Sequence, residues 1–301
     1  MKIIYGINKI TEFKDAVVIM GVFDGVHRAH TSILKSAVRF ARKIRGTSVV
    51  VTFWPHPQAE ESLYSLSHRI KLFSEIGLDV CVIVNFNKEF SRMDPYDFVT
   101  KFISGKLNAR YLYVGRNFTF GHKASGDWRL LKKLAAVYNY KLRLQPVMRL
   151  DRGIVSSTRI RKLIKCGRLS EAGRLLGRPV SILGTVIKGS SLARKLGFPT
   201  ANINPHHEVL PPSGVYMVEV VLGRRRLYGV CSIGNKPTFS DSAMQHIEVH
   251  IFNFRKNIYN TDLEVIFIKK IRSQRKFRAS AELVLQIKKD IILTKRYFSL
   301  H

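Results

Sequence analysis

The chain has 301 residues, enough for two compact domains, with the 46% hydrophobic and 24% charged content of an ordinary globular protein. No run approaches the roughly 20 uninterrupted apolar residues of a membrane span; the opening MKIIYGINKITEFKD lacks a signal-peptide core, and Cys81, Cys166 and Cys231 show neither disulfide-framework nor CxxC spacing, so a reducing cytoplasm is expected. The formal net charge of +30 would suit a nucleic-acid partner, but Lys and Arg are spread along the chain and no nucleic-acid module is visible, so no specific nucleic acid and no membrane is expected as partner.

The first half alternates two kinds of segment. AVVIMGVF, TSVVVTF, DVCVIVNF and RYLYVG are continuous apolar runs, as strands buried on both faces read. Between them, SILKSAVRFARKI, SHRIKLFSEIG and PYDFVTKFISG are apolar at helical spacing. This alternation predicts an α/β domain with a parallel sheet, whose ligands bind beyond the carboxyl ends of the strands. Two short helical patterns, SSTRIRKLIKCG and LSEAGRLLG, lead to Gly177-Arg178-Pro179. The pattern then changes to VSILGTVIKG, GVYMVEVVLG, RRLYGVCSIG, HIEVHIFNF and DLEVIFIKKI without intervening helices. That predicts a small antiparallel β-barrel or sandwich, closed by a terminal helix over SAELVLQIKKDIILTKRYF. The expected domains are 1–179 and 180–301.

Three stretches carry chemistry. GVFDGVHRAH, Gly21 to His30, follows a buried strand and opens a helix. Gly21 and Gly25 permit a tight turn and close approach to a ligand, and the helix start offers free N–H groups to phosphate. His27 and His30, three apart, share a helix face and could stabilise charge on a triphosphate. In VSSTRIR, Ser156, Ser157 and Thr158 supply hydroxyls and a helix cap, while Arg159 and Arg161 can reach phosphate oxygens. In KGSSLARKLGFPTANI, Lys188 and Gly189 suit a loop over phosphates, and Thr200 and Asn202 are hard oxygen ligands suited to Mg²⁺. Glu248 and His250 face one side of the HIEVHIFNF strand.

In order along the chain, these stretches resemble bacterial bifunctional riboflavin kinase/FAD synthetases. GVFDGVHRAH is similar to that family's GxFDGxHxGH, FWPHP to its F-x-P-H-P turn, and VGRNFTFGHKASG to its VGxDFxFGxxxxG loop. VSSTRIRKLIKCGRLSEAGRLLGRP resembles its second nucleotide motif and linker; GFPTAN, LPPSGVYMV, SIGNKPTF and IRSQRKFRASAELVLQIKKDI resemble its kinase module. The resemblance implies a Rossmann-like nucleotidyltransferase domain followed by a kinase barrel, making FMN from riboflavin and ATP, and FAD from FMN and ATP, with Mg²⁺. It implies that Gly21, Phe23, Asp24 and Gly25 shape the nucleotide pocket around His27 and His30, and that Ser157, Thr158 and Arg161 hold pyrophosphate. It further implies Thr200 and Asn202 as metal ligands, Glu248 as general base, Asn117 at flavin or nucleotide, and Arg272 at flavin. The chain departs from the family at Ala29, Ala193, Asn117, Trp54 and Asn260. Two other readings stay open: an FAD synthetase with an impaired kinase module, and a basic nucleic-acid-binding protein on the same scaffold.

Overall fold

The computed structural model describes residues 1–56, 61–189, 192–235 and 245–300. Pro57 of FWPHP, Ser190 and Ser191 of the KGSSLARKLGFPTANI stretch, and residues 236–239 of SIGNKPTF lie outside the described residues. By contacts the chain divides into two units, Met1–Arg159 and Ile160–His301.

The first unit is built on a six-stranded sheet: β1 (Lys2–Tyr5), β2 (Val17–Met20), β3 (Ser48–Trp54), β4 (Val80–Asn85), β5 (Tyr111–Gly115) and β6 (Lys141–Gln145). Its order is β1-β4-β3-β2-β5-β6, and every neighbouring pair is parallel. Successive residues of β2 point to opposite faces, so the sheet has two cores. Val17 and Ile19 pack with helices α1 (Arg28–Lys43) and α2 (Leu66–Ile76), through Leu34, Val38 and Phe73. Val18 and Met20 pack on the other face with Phe98 and Phe102, and with Leu131 and Leu134 of α3 (Trp128–Val137). The PYDFVTKFISG pattern forms a π-helix over Phe98–Lys106 rather than an α-helix, and its wider turn buries Phe98, Val99, Phe102 and Ile103 together.

The chain passes from β2 to α1 where the strand order reverses, with β3 on one side of β2 and β5 on the other. In such sheets the crevice beyond the strand carboxyl ends is where ligands bind. A small hairpin, β7 (Arg149–Leu150) and β8 (Gly153–Ile154), then leads into α4 (Ser157–Lys165), which straddles the division between the units.

In the second unit, α5 (Leu169–Leu176) ends at Gly177 in the left-handed region (φ 82°). Six strands follow: β9 (Ser181–Ile187), β10 (Ala201–Asn204), β11 (Gly214–Leu222), β12 (Arg225–Asn235), β13 (Gln245–Ile251) and β14 (Asp262–Arg272). They close into an antiparallel barrel in the order β10-β13-β12-β11-β14-β9, which removes free sheet edges. The alternating Ile247, Val249, Ile251 and Leu263, Val265, Phe267 fill its interior. The expected terminal helix is α6 (Ser280–Tyr297). Asp290 of α6, 3% exposed, is gripped by Arg272 at the end of β14, with Nε 3.0 Å and Nη2 2.9 Å from Oδ2.

Candidate active sites

The turn after β2 is held in an uncommon backbone conformation. Phe23 (φ 56°), Gly25 (φ 74°) and Val26 (φ 39°) all lie at positive φ, which costs conformational energy for the two non-glycine residues. Asp24 is buried, and its carboxylate accepts the amides of Leu63 (3.1 Å) and Tyr64 (3.2 Å), bracing the turn against the segment that leads into α2. At Gly21 a Cβ would lie 3.0 Å from the Phe23 ring, so the glycine lets that ring fold back over the turn.

His27 caps α1, its Nδ1 accepting the amide of His30 at 3.4 Å. In neutral His27 this leaves the proton on Nε2. The His27 and His30 rings stack with centroids 3.6 Å apart, and Phe23 meets His30 edge-on at 5.2 Å. The face expected to be shared by the two histidines is thus formed, at a helix start whose dipole favours anions.

The SSTRIR stretch reaches the same turn, because Ser157 Oγ donates to the Asp24 carbonyl at 2.9 Å. Ser156 Oγ accepts the Arg159 amide at 3.3 Å and so provides the expected cap. Arg159 is used differently from the expectation that it reaches phosphate. Its guanidinium donates to the carbonyls of Leu150 (2.9 Å) and Asp151 (3.1 Å). The turn of the β7–β8 hairpin, with Asp151 and Arg152 both left-handed, leaves these carbonyls for a side chain to satisfy. Thr158 is exposed in the first turn of α4, and Arg161 follows one turn later. Asn117 is exposed in the loop after β5, where Phe118 donates its amide to the Gly115 carbonyl at 3.0 Å.

Behind the turn lies a residue that the sequence reading did not single out. Arg69 of α2 is fully buried; its Nη1 donates to the Val22 carbonyl at 2.6 Å and to Thr52 Oγ1 at 3.1 Å. Thr52 Oγ1 donates to the same Val22 carbonyl at 2.9 Å, and the guanidinium lies 5.4 Å from the Trp54 ring centroid. Burial pulls the Arg69 pKa down, while the nearby Asp24 charge opposes that shift.

In the barrel, β10 and β13 pair so that Asn202 lies opposite Glu248. Thr200 Oγ1 donates to Glu248 Oε2 at 3.5 Å. His250 donates from Nδ1 to the Pro199 carbonyl (2.9 Å) and meets Phe198 edge-on, fixing the strand that carries the PTAN residues. Burial, and then the Glu248 charge, push the Cys231 thiol up, so this cysteine stays protonated behind the site. Thr200 and Asn202 border a cavity of about 470 Å³, together with Gly189, Arg194, Arg255 and Lys256. Arg194 belongs to the KGSSLARKLGFPTANI stretch, while Arg255 and Lys256 carry no motif signal of their own. Lys188 is exposed at the end of β9. Arg272 tethers α6 through Asp290 from Nε and Nη2, and Nη1 donates to the Ser273 carbonyl.

The oxygens here fit a hard divalent cation. Asn202 is buried, and its Oδ1 has no hydrogen-bond partner among the described residues. A Cβ at Gly189 would fall 2.1 Å from Asn202 Nδ2, so glycine leaves the space that this amide uses. Among the described residues no group of three His, Cys, Asp or Glu side chains could hold a metal. A cation at Thr200 and Asn202 would therefore complete its shell with phosphate oxygens and water.

Comparisons with known proteins agree with this division. Residues 9–159 match the FAD synthetase family and residues 176–298 the riboflavin kinase family. Over 311 residues the chain is 34% identical to the bifunctional riboflavin kinase/FMN adenylyltransferase of Buchnera aphidicola subsp. Schizaphis graminum, covering 100% of both chains. It is 33% identical to the Escherichia coli K12 protein of the same description, covering 100% of this chain and 99% of that one. For the Bacillus subtilis 168 protein, also so described, the identity is 34%, covering 94% and 93% of the two chains. A crystal structure from Streptococcus pneumoniae, titled macrolide-efflux protein, superposes with a TM-score of 0.83 at 30% identity, covering 98% of this chain and 99% of that one. Among the described residues of the present chain, no helix is long and apolar enough to cross a membrane. The chain belongs to the family of bifunctional riboflavin kinase/FMN adenylyltransferases.

Proposed function

We propose that the chain phosphorylates riboflavin to FMN in its barrel and adenylylates FMN to FAD at the His27–His30 turn, with residues 1–179 and 180–301 serving the two reactions. The observation that carries this reading is the presence of both sites in one chain: stacked histidines at a helix start, and, in the barrel, Thr200 and Asn202 at a cavity with Glu248 bonded to Thr200 and paired opposite Asn202.

For phosphorylation, Glu248 takes the proton of the riboflavin 5′-hydroxyl as that oxygen attacks the γ-phosphorus of ATP, and ADP leaves. Lys188 and Gly189 border the phosphates. Thr200 and Asn202 would hold Mg²⁺, which when bound neutralises phosphate charge. For adenylyl transfer, an FMN phosphate oxygen attacks the α-phosphorus of a second ATP, forming the new phosphoanhydride and releasing pyrophosphate. His27 and His30 stabilise the developing charge, while Ser157, Thr158 and Arg161 hold the leaving pyrophosphate. Gly21, Phe23, Asp24 and Gly25 set the turn on which nucleotide lies. Asn117 faces the flavin of this reaction. Arg272, its donors engaged by Asp290 and Ser273, offers flavin in the barrel its planar face.

The three free cysteines and the use of ATP support a cytoplasmic location. Neither an impaired kinase module nor a nucleic-acid-binding role is favoured, because both families match and the full-length relatives are named for both activities. The half-reactions test the proposal separately. Riboflavin, ATP and Mg²⁺ should yield FMN and ADP; FMN, ATP and Mg²⁺ should yield FAD and pyrophosphate. Absence of either product pair removes that half of the assignment.

A further inference from the structure

Arg69 sits in an environment that packing alone does not favour. It is fully buried, yet its Nε and Nη2 have no hydrogen-bond partner among the described residues. A buried guanidinium with unmet donors is costly, and a long apolar side chain would fill the same space more cheaply. What Arg69 does secure is one atom, the Val22 carbonyl, through its own Nη1 and through Thr52, whose hydroxyl it also grips. Val22 immediately precedes the left-handed Phe23, and Asp24 is tied to Leu63 and Tyr64 just upstream of α2. The strained turn is thus fastened on both sides of Phe23 to residues 63–69. Beyond the turn, His27 caps α1 and stacks on His30.

We infer that Arg69 is a positioning residue for adenylyl transfer: its buried guanidinium locks the Gly21–Val26 turn in the form that presents His27 and His30 to the ATP triphosphate, and sets a fixed positive charge behind it. This rests on the adenylyl-transfer reading of that turn. Arg69 touches no substrate; it acts through Val22 and Thr52.

The test uses the full chain carrying Arg69→Met, Arg69→Lys or Thr52→Val, assayed for FAD formation from FMN and for FMN formation from riboflavin in the same preparation. Arg69→Met should lower kcat for FAD formation about thirtyfold and raise KM for ATP about tenfold, with KM for FMN within about twofold. Arg69→Lys, which keeps a donor and the charge, should recover about tenfold of that kcat. FMN formation should be unchanged in all three. Simple loss of folded protein would lower kcat without moving KM for ATP. The inference is overturned if folded Arg69→Met keeps FAD formation within about threefold of the parent, or if Arg69→Lys is no better than Arg69→Met. Should Arg69→Met fail to fold, Arg69→Lys and Thr52→Val decide: both fold with KM for ATP raised at least about threefold, or the inference fails. A parent chain that makes no FAD at all would instead remove the reading of the turn.

Discussion

Replacing Gly189 by alanine isolates the barrel site with a single methyl group. The added Cβ would lie 2.1 Å from Asn202 Nδ2, 2.3 Å from Cγ and 2.6 Å from Oδ1. Carbon and its neighbours are comfortable at about 3.5 to 4 Å, so the amide must yield by at least about 1 Å, and Nδ2 by about 1.4 Å or more. Asn202 is short, 8% exposed and set in a strand between β9 and β13, so it cannot swing away without moving Oδ1. Gly189 is not among the glycines at positive φ, and the alanine meets no backbone strain. A shift of about 1 Å in a positioned group costs on the order of a hundredfold in rate, or about 2.7 kcal/mol of barrel-site activation energy. Gly189→Ala should therefore lower FMN formation from riboflavin about a hundredfold, with a higher Mg²⁺ requirement, while FAD formation from FMN stays within about twofold. Initial rates by chromatographic separation of the flavins measure both. FMN formation within about threefold of the parent would refute the argument that Asn202 Oδ1 is a metal ligand held in place by this glycine.

Glu248→Gln should lower FMN formation by about 10² to 10⁴ with FAD formation from FMN retained, and His30→Ala should do the reverse by about 10²; the same two-product assay reads both. Asp290→Ala removes the partner of Arg272 in a tether whose side chains are 20% and 4% exposed, and should cost about 3 kcal/mol of barrel stability, seen as a lower Tm. Alkylation of the native chain at pH 8 should label the exposed Cys166 only. Burial pushes the Cys81 thiol up to about 12, leaving it protonated at pH 8, and Cys231 is shifted in the same direction; peptide mass spectrometry locates the label.

The fold is legible in the sequence where burial imposes a pattern. VVIM, SVVVTFW and VCVIVN read as strands because both faces of the central sheet are covered. The edge strands KIIY and KLRLQ escaped it, since exposure on an edge lets polar residues interrupt the run. The helix Trp128–Val137 also passed unread, with Leu131 and Leu134 its only buried positions. The two histidines, Ser157, Thr200, Asn202 and Glu248 were legible as motifs. Long-range use of ordinary residues was not. Nothing in SHRIKLFSEIG marks Arg69 as buried beneath a turn 47 residues away. Nothing in VSSTRIR tells that Arg159 serves hairpin carbonyls instead of phosphate. Both depend on which unmet backbone groups the fold leaves nearby, a property of the tertiary structure.

The claim that one chain performs both steps is tested most directly by a single time course with riboflavin, ATP and Mg²⁺ under reducing conditions, following both flavins, ADP and pyrophosphate. The account predicts that FMN rises first and then falls as FAD accumulates, with one ADP and one pyrophosphate released for each FAD. FMN that accumulates without FAD, or riboflavin left unconverted while added FMN is turned into FAD, would contradict it.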